Sequence, residues 1–191
     1  MSPVRLVGSS SGFVTLDAPA VAGSNTLVLP TGNGSSGQVL STNGSGALSW
    51  IGAGKILQVV NATYSTSTTN STDTLADTGL TATITPSSSS NKILVLVSQN
   101  GVYKSAGNAT NGVQIRLFRG TTELALNYAI GYAGTALQLY PGSCSFCYLD
   151  SPATTSATTY KTRFANIIAA SLVAVQADGS NSHITLLEVA A

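Results

Sequence analysis

The chain has 191 residues, of which 43% are hydrophobic and only 8% are Asp, Glu, Lys or Arg, against about 25% charged residues in ordinary soluble domains. This composition disfavours an enzyme, which needs titratable side chains gathered in a site, and a disordered chain, which has few apolar residues. A net charge of +1 provides no attraction to nucleic acid or to an anionic membrane. The sequence therefore predicts a β-rich structural or binding protein.

No segment predicts export or membrane insertion. The residues after Met1 lack the apolar core of a signal peptide. The longest apolar run, near residues 167–177, has about 11 residues and is too short to cross a bilayer. We expect a product made in a cytoplasm that is soluble or assembles there with another component.

Residues 1–54 contain short apolar segments separated by glycine and proline, each too short to form a core by itself. Residues 38–42 and 47–51 are predicted to pair as a hairpin around Asn43-Gly44. We interpret residues 1–54 as an arm or short shaft that buries its apolar side chains against a partner. The candidate anchoring residues are Phe13, Leu16, Leu27, Leu29 and Trp50.

From residue 55 to residue 191 the apolar segments lengthen, and turn residues separate them regularly, which is typical of a sandwich or barrel. Arg119 and Glu123 are expected to flank a tight hairpin as an opposite-charge pair. Residues 164–175 also fit helical spacing, but β-branched residues and the Asp178-Gly179 turn favour a strand that forms a hairpin with the last strand. The predicted strands are 55–64, 79–85, 92–100, 113–119, 123–130, 136–139, 143–149, 159–165, 172–177 and 183–189.

Two of these strands, at residues 92–97 and 184–189, are apolar on both faces. A sandwich strand normally alternates, because one of its faces meets water. We therefore expect another copy of the chain to cover the second face, although the chain's own loops or arm are an alternative cover. The candidate subunit-interface residues are Ile93, Leu94, Val95, Leu96, Val97, Ile184, Leu186, Leu187 and Val189.

Three short motifs lack the context that their chemistry needs. Residues 32–37 fit the dinucleotide pattern G-x-G-x-x-G, but a strand rather than a helix is predicted to follow. Residues 8–12 fit G-x-S-x-G, but the only histidine, His183, begins a strand after a polar turn. Cys144 and Cys147 form C-x-x-C, yet in a strand they point to opposite faces, and zinc would need further ligands. No catalytic, cofactor-binding or metal-binding residue is predicted.

Carbohydrate binding is an alternative, since jelly-roll and lectin-like sandwiches bind sugars with aromatic platforms and neutral polar side chains. Tyrosine in a strand is more commonly a core or interface residue. The candidate aromatic residues are Tyr128, Tyr132, Tyr140, Tyr148 and Tyr160.

Two N-terminal segments, residues 12–30 (GFVTLDAPAVAGSNTLVLP) and 37–50 (GQVLSTNGSGALSW), resemble the N-terminal arm of bacteriophage virion appendage proteins. Such proteins include fibre-like and capsid-decorating proteins of cyanophages and other marine phages. The remainder is similar to their β-sandwich heads, at residues 55–60 (KILQVV), 115–122 (IRLFRGTT), 148–152 (YLDSP) and 184–189 (ITLLEV). The resemblance implies a jelly-roll-like head, usually trimeric, that is displayed on a virion and anchored through its N-terminal part.

We therefore expect an all-β chain with an extended N-terminal arm or short shaft (1–54) and an antiparallel, jelly-roll-like β-sandwich head (55–191) that forms a homotrimer. The expected function is that of a decoration (cement) protein outside a phage capsid, whose arm anchors it to the major capsid protein or another virion protein and stabilises the shell. A short tail or head fibre that recognises host-surface glycans is the alternative. No enzymatic activity, cofactor, nucleic-acid partner or membrane insertion is expected.

Overall fold

The molecule is an all-β structure, as predicted. Its regular elements, within the residues that are described, are fourteen strands and one three-residue 3₁₀ turn, Ala177–Gly179. The chain divides into two compact units, Met1–Ala53 and Gly54–Ala191. In the part that is described, no helix is long and apolar enough to cross a membrane. The computed structural model describes residues 4–7, 9–16, 19–21, 23–52, 54–105, 111–130, 142–169 and 171–191.

The N-terminal unit contains two antiparallel hairpins, β1–β2 and β3–β4. The β3–β4 pairing confirms the predicted hairpin, with Asn43 Oδ1 accepting hydrogen bonds from the backbone N–H groups of Ser45 (2.9 Å) and Ala47 (3.2 Å). Ala47, which was predicted to begin the second strand of this hairpin, lies just before it and forms a parallel bridge with Val28. The strands are β1 (Val4–Val7), β2 (Phe13–Leu16), β3 (Gln38–Thr42) and β4 (Leu48–Gly52).

The second unit consists of two antiparallel sheets. The strands are β5 (Ile56–Tyr64), β6 (Thr68–Asn70), β7 (Ala76–Ile84), β8 (Lys92–Lys104), β9 (Val113–Arg119), β10 (Thr122–Ile130), β11 (Gly142–Asp150), β12 (Thr158–Asn166), β13 (Val173–Val175) and β14 (Ser182–Val189). One sheet has the order β10-β9-β12-β7; the other has the order β5-β14-β8-β11 and is extended by β6 and β13.

The strand order is that of a jelly roll. β13 and β14 pair with successive segments of the same strand, β8, so together they form one interrupted strand. β6 pairs with β13 and β5 pairs with β14, so β5 and β6 together form a second interrupted strand. Counted so, the described part of the unit has eight strands, and the first pairs with the eighth, the second with the seventh, the third with the sixth and the fourth with the fifth. One long antiparallel hairpin wrapped into two layers produces this pairing. The predicted jelly-roll-like sandwich is confirmed.

The segment at residues 165–177 differs from its prediction. β12 ends at Asn166, and the strand that follows covers only Val173–Val175, with no α-helix in this described stretch. The predicted hairpin between this strand and the last one is wrong, because β13 pairs with β6 and β8 while β14 continues along β8. The 3₁₀ turn Ala177–Gly179 lies between β13 and β14 and interrupts the strand that they form together. The strand predicted at 136–139 lies outside the described residues.

The core lies between the two sheets, and a chain of buried polar side chains crosses it. Thr78 and Thr162 share a hydrogen bond between their hydroxyls (2.6 Å), the Thr162 hydroxyl donates to Gln99 Oε1 (2.8 Å), and Gln99 Nε2 donates to Ser182 Oγ (3.0 Å). These bonds join one sheet to the other and satisfy polar groups that burial would otherwise penalise. The largest fully buried apolar side chains of the core are Leu80, Ile84, Ile93, Ile115, Leu117, Tyr160, Phe164, Ile184 and Leu186.

The predicted pair of Arg119 and Glu123 is wrong, although the β9–β10 hairpin forms. Arg119 follows the inward alternation of Leu117, and its Nη1 lies 2.8 Å from the Asp150 carboxylate. Glu123 lies opposite the outward-facing Phe118, and it forms an ion pair with Arg116 instead (2.7 Å). Because successive residues of a strand point to opposite faces, Arg119 and Phe118 lie on opposite faces of the sheet. Glu123 shares the face of Phe118, so the Arg119 and Glu123 side chains cannot meet.

Glu188 is a buried carboxylate that ties β14 to β5 and to the β7–β8 loop. It accepts hydrogen bonds from the Ser87 backbone N–H (2.6 Å), the Ser87 hydroxyl (2.7 Å), Asn91 Nδ2 (2.7 Å) and Gln58 Nε2 (2.6 Å). Burial raises its pKa, but the hydrogen bonds from Asn91, Gln58 and Ser87 outweigh that effect and lower the pKa from 4.5 to about 2. The ionised form is therefore the one that the fold stabilises.

Glu188→Gln should lower the free energy of unfolding at neutral pH by about 2 kcal/mol. The NH₂ group of the new amide would face a group that donates a hydrogen bond to the carboxylate in the wild type, so that hydrogen bond is lost. Since the folded pKa is depressed, the contribution of Glu188 is complete above about pH 4.5 and is lost as the pH falls towards 2. We expect urea unfolding of the wild type to weaken across that interval and the variant to show a flatter profile. Asp73→Asn, at an exposed position, is the control, and equal profiles for Glu188→Gln and the wild type would contradict the assignment.

Gly101 and Gly120 form a matched pair for testing how the 3₁₀ turn packs on β8. Both have a positive φ (61° and 56°). A Cβ on Gly101 would meet the backbone N of Ala177 and lie 2.8 Å from its O, whereas nothing lies within 4 Å of a Cβ on Gly120. We expect Gly120→Ala to cost about 1 kcal/mol of unfolding free energy for its backbone conformation and Gly101→Ala about 2 kcal/mol more for the clash. Equal losses in thermal or urea unfolding would show that the turn does not pack against Gly101.

Candidate interaction surface

The sheet β5-β14-β8-β11 divides the nine predicted interface residues between its two faces. Five of them point into the core and are at most 3% exposed: Ile93, Val95, Val97, Ile184 and Leu186. A sandwich buries one apolar face of each sheet in its own core, so these five residues cannot touch another subunit. Their prediction as interface residues is therefore corrected. The four that point outward are Leu94, Leu96, Leu187 and Val189.

The outward residues belong to a continuous apolar area. The strand registers place Val59, Leu187, Leu94 and Leu149 side by side across all four strands. On the edge strands Val59 is 58% exposed and Leu149 is 51% exposed. Leu94 and Leu187 are half-buried because they have neighbours on both sides. With Leu96 (38% exposed) and Val189, these residues form what we call the apolar patch: Val59, Leu94, Leu96, Leu149, Leu187 and Val189.

The outer face of the other sheet has a different character. Lys161 and Arg163 of β12 both form ion pairs with Asp77 of β7 (3.0 and 3.2 Å). The Arg163 guanidinium lies 5.4 Å from the centre of the Phe118 ring, and the outward-facing Phe118 is only 5% exposed. This sheet therefore covers its own outer aromatic residue with paired charges. On the outer face of the β5-β14-β8-β11 sheet, by contrast, the row of side chains that contains Leu94 and the next row, which contains Leu96, have no charged residue.

The two cysteines lie on opposite faces of β11, as predicted, and both are free. Cys144 points inward against the core, and burial raises its pKa to about 11 despite an opposing hydrogen bond from Asn127. Cys147 is exposed and lies beside Leu96 in the sheet. Cys147 is therefore the accessible thiol, and it marks the margin of the apolar patch.

The predicted anchoring residues fall into two groups. Phe13, Leu16, Leu27 and Leu29 are 58–69% exposed, so more than half of the surface of each residue is accessible to solvent. Trp50 is half-buried; its Nε1 donates to the Gly32 carbonyl (2.7 Å), and its ring packs directly against Gly34. Trp50 therefore orders its own unit, and it has less surface to offer a partner than the other four.

The tyrosines considered for carbohydrate binding lie in different surroundings where they are described. Tyr160 is fully buried, and its hydroxyl donates to Asp150 (2.6 Å). Burial, followed by that hydrogen bond and the Asp150 charge, raises the pKa of Tyr160. Tyr148 packs against the core, and Tyr128 is 59% exposed on β10. Tyr132 and Tyr140 lie outside the described residues.

The motifs that suggested chemistry have ordinary structural surroundings. Residues 32–37 lead into strand β3, which provides no helix N-terminus for a pyrophosphate. His183 is exposed near the start of β14. Where the chain is described, no group of three or more His, Cys, Asp or Glu residues could hold a metal ion.

No protein-family model and no curated protein matches the chain. Among solved structures, that of infectious bursal disease virus, Gx strain, is 14% identical with a TM-score of 0.42, covering 94% of this chain and 39% of that chain. The VP2 subviral particle of the same virus is 12% identical (TM-score 0.37; 75% and 40%), and the Gt strain is 13% identical (TM-score 0.37; 96% and 46%). This chain spans less than half of the length of each of these viral chains. At these identities and scores the likeness carries no information on activity or partners.

Proposed function

We propose that the chain is a structural virion protein: a homotrimeric decoration (cement) protein on the outside of a phage capsid, anchored by its N-terminal unit. The apolar patch carries this proposal. It leaves leucine and valine side chains up to 58% exposed on an outer face whose rows at Leu94 and Leu96 carry no charged residue, whereas the opposite sheet covers its outer Phe118 with Arg163. The largest apolar patch on a typical monomer covers about 300–600 Å² and is often functional.

The partner proposed for the patch is a second copy of the same chain. The rows at Leu94 and Leu96 are uncharged, so the centre of the patch carries no charge that would repel a second copy. An exposed charge, Lys92, lies opposite Val189 at the margin of the patch. Removing about 300 Å² of apolar surface from water contributes about 7 kcal/mol before the entropic cost of association. The trimeric state is supported by the sequence resemblance to phage appendage proteins.

The proposed capsid contact lies in the N-terminal unit. Its hairpins have two strands each, a size that is marginally stable by itself, and Phe13, Leu16, Leu27 and Leu29 are exposed. Free hairpin edges can add to strands of another protein, with apolar side chains filling its grooves. A site that only the assembled shell offers would stabilise the shell by mass action.

A short tail or head fibre that recognises host-surface glycans is the second candidate. It is favoured by the polar end of the same outer face, where Thr63, His183, Ser98 and Ser145 lie side by side. Hydroxyl side chains such as those of Thr63, Ser98 and Ser145 suit sugar hydroxyls. Electron microscopy of labelled virions separates the candidates, since a cement protein covers the capsid and a fibre projects from few positions.

Leu96→Asp should abolish self-association, because it places a charge in the apolar patch that burial against a second copy would desolvate. The matched control is Leu126→Asp, since Leu126 is 45% exposed and lies opposite Arg116 on the other sheet. By light scattering at micromolar concentration, we expect trimers for the wild type and for Leu126→Asp and monomers for Leu96→Asp, with unchanged circular dichroism. A monomeric wild type, or equal masses for the two variants, would reject the proposed interface.

Cys147 supplies a second readout of the same prediction. In the trimer we expect maleimide labelling of Cys147, measured by mass spectrometry, to be about 10-fold slower than in Leu96→Asp, because the neighbouring patch is covered. Cys144 should label slowly in both proteins, since its pKa of about 11 leaves almost no thiolate at neutral pH. Equal Cys147 rates in the two proteins would place the interface elsewhere.

The double substitution Phe13→Ser and Leu16→Ser should weaken binding to capsids that lack the protein by at least about 10-fold, because two exposed apolar contacts are lost. Co-sedimentation of the full chain with such capsids measures the effect, and Leu126→Ser is the control. The double variant should keep the wild-type mass in solution. Wild-type capsid binding by the double variant would reject the anchor without affecting the trimer assignment.

A further inference from the structure

A groove of about 340 Å³ opens on the outer side of the sheet where β6, β13 and the end of β8 meet. Thr69, Ala174 and Tyr103 lie side by side across these strands. Ala174 has a small side chain between two larger neighbours, so the sheet surface is depressed there, and Tyr103 borders the depression. The volume is at the small end of the range for ligand pockets.

Four polar side chains line this groove: Ser67, Thr69, Tyr103 and Asp178. Within the described residues, no hydrogen bond or ion pair engages any of the four. Their neighbours differ in this respect, because Thr68 donates to the Thr78 carbonyl (3.3 Å) and Asn70 donates to the Thr74 carbonyl (2.9 Å). The groove therefore gathers three hydroxyls and one carboxylate whose hydrogen-bonding capacity is free for a ligand.

Asp178 is held at the groove by a strained but well-anchored turn. Gln176 and Asp178 both have left-handed backbone angles (φ 53° and 54°), which non-glycine residues adopt at a cost of about 1 kcal/mol each. The Gln176 backbone N–H donates to the Asn100 carbonyl (2.9 Å), and its side chain donates to Ser182 Oγ (3.1 Å). The turn is thereby fixed before any ligand arrives, which reduces the entropic cost of binding.

The composition of the groove selects the class of ligand. A carboxylate accepts hydrogen bonds from two adjacent hydroxyls, and an aromatic ring packs against the C–H groups of a sugar. Asp178 is the only charged residue in the lining, so phosphates, sulfates and sialic acids would meet repulsion with no cation to offset it. We infer that this groove binds a neutral saccharide with adjacent hydroxyls. The site is independent of the proposed trimer and capsid contacts, and either a decoration protein or a fibre can carry it.

The test uses the full chain and the methyl glycosides of glucose, galactose and mannose as probes, with saturation-transfer NMR as the readout. At least one glycoside should bind saturably with a Kd on the order of 1 mM. Tyr103→Ala and Asp178→Asn should each weaken that binding by at least about 10-fold. Tyr128→Ala is the matched control and should bind as the wild type does, because Tyr128 is exposed on the other sheet.

Three outcomes would overturn the inference: no saturable signal from any of the three glycosides, equal losses for Tyr128→Ala and Tyr103→Ala, or tighter binding of lysine methyl ester than of every glycoside. The last result would identify a site for cations. Light scattering of the same samples reports the oligomeric state separately, so failure of the sugar site and failure of the proposed trimer are distinguishable.

Discussion

Successive side chains of a β-strand point to opposite faces, and β8 and β14 carry large apolar side chains on both faces. The inward set, which includes Val95 and Ile184, joins the core between the two sheets. The outward set then has no place inside the same domain. The other sheet resolves the equivalent problem by covering Phe118 with Arg163, whereas the β5-β14-β8-β11 sheet leaves Val59 and Leu149 open. The proposed assembly follows from this difference between the two outer faces.

A chain with few charges depends on buried polar contacts to define its register. Glu188 joins β14 to β5 and to the β7–β8 loop, and Asp150 joins Arg119 to Tyr160. A slip of one residue along a strand would turn these groups to the wrong face and leave them without partners. The polar contacts therefore favour one pairing among the many that a repetitive Ser- and Thr-rich β sequence could adopt.

The outer face of the sheet that contains β8 changes from apolar to polar along its strands. At one end lies the apolar patch, and at the other end Tyr103 and Asp178 line a groove. A surface arranged in this way can associate through one end while the other end stays open to a ligand. Under the proposed function, the trimer would cover the first region and leave the second available on the virion surface.

The sequence by itself determined the β class, most strand positions, the hairpin around Asn43-Gly44 and the opposite orientation of Cys144 and Cys147. Each of these depends on alternation or turn chemistry within a few residues. Only the tertiary structure decided which face of β8 is inside, that Arg119 meets Asp150 rather than Glu123, and that β13 pairs with β6 and β8 rather than with β14. It also brought Tyr103 and Asp178 to one groove. These outcomes depend on strands that are distant in sequence, and local periodicity contains no information on which distant partner a strand will meet.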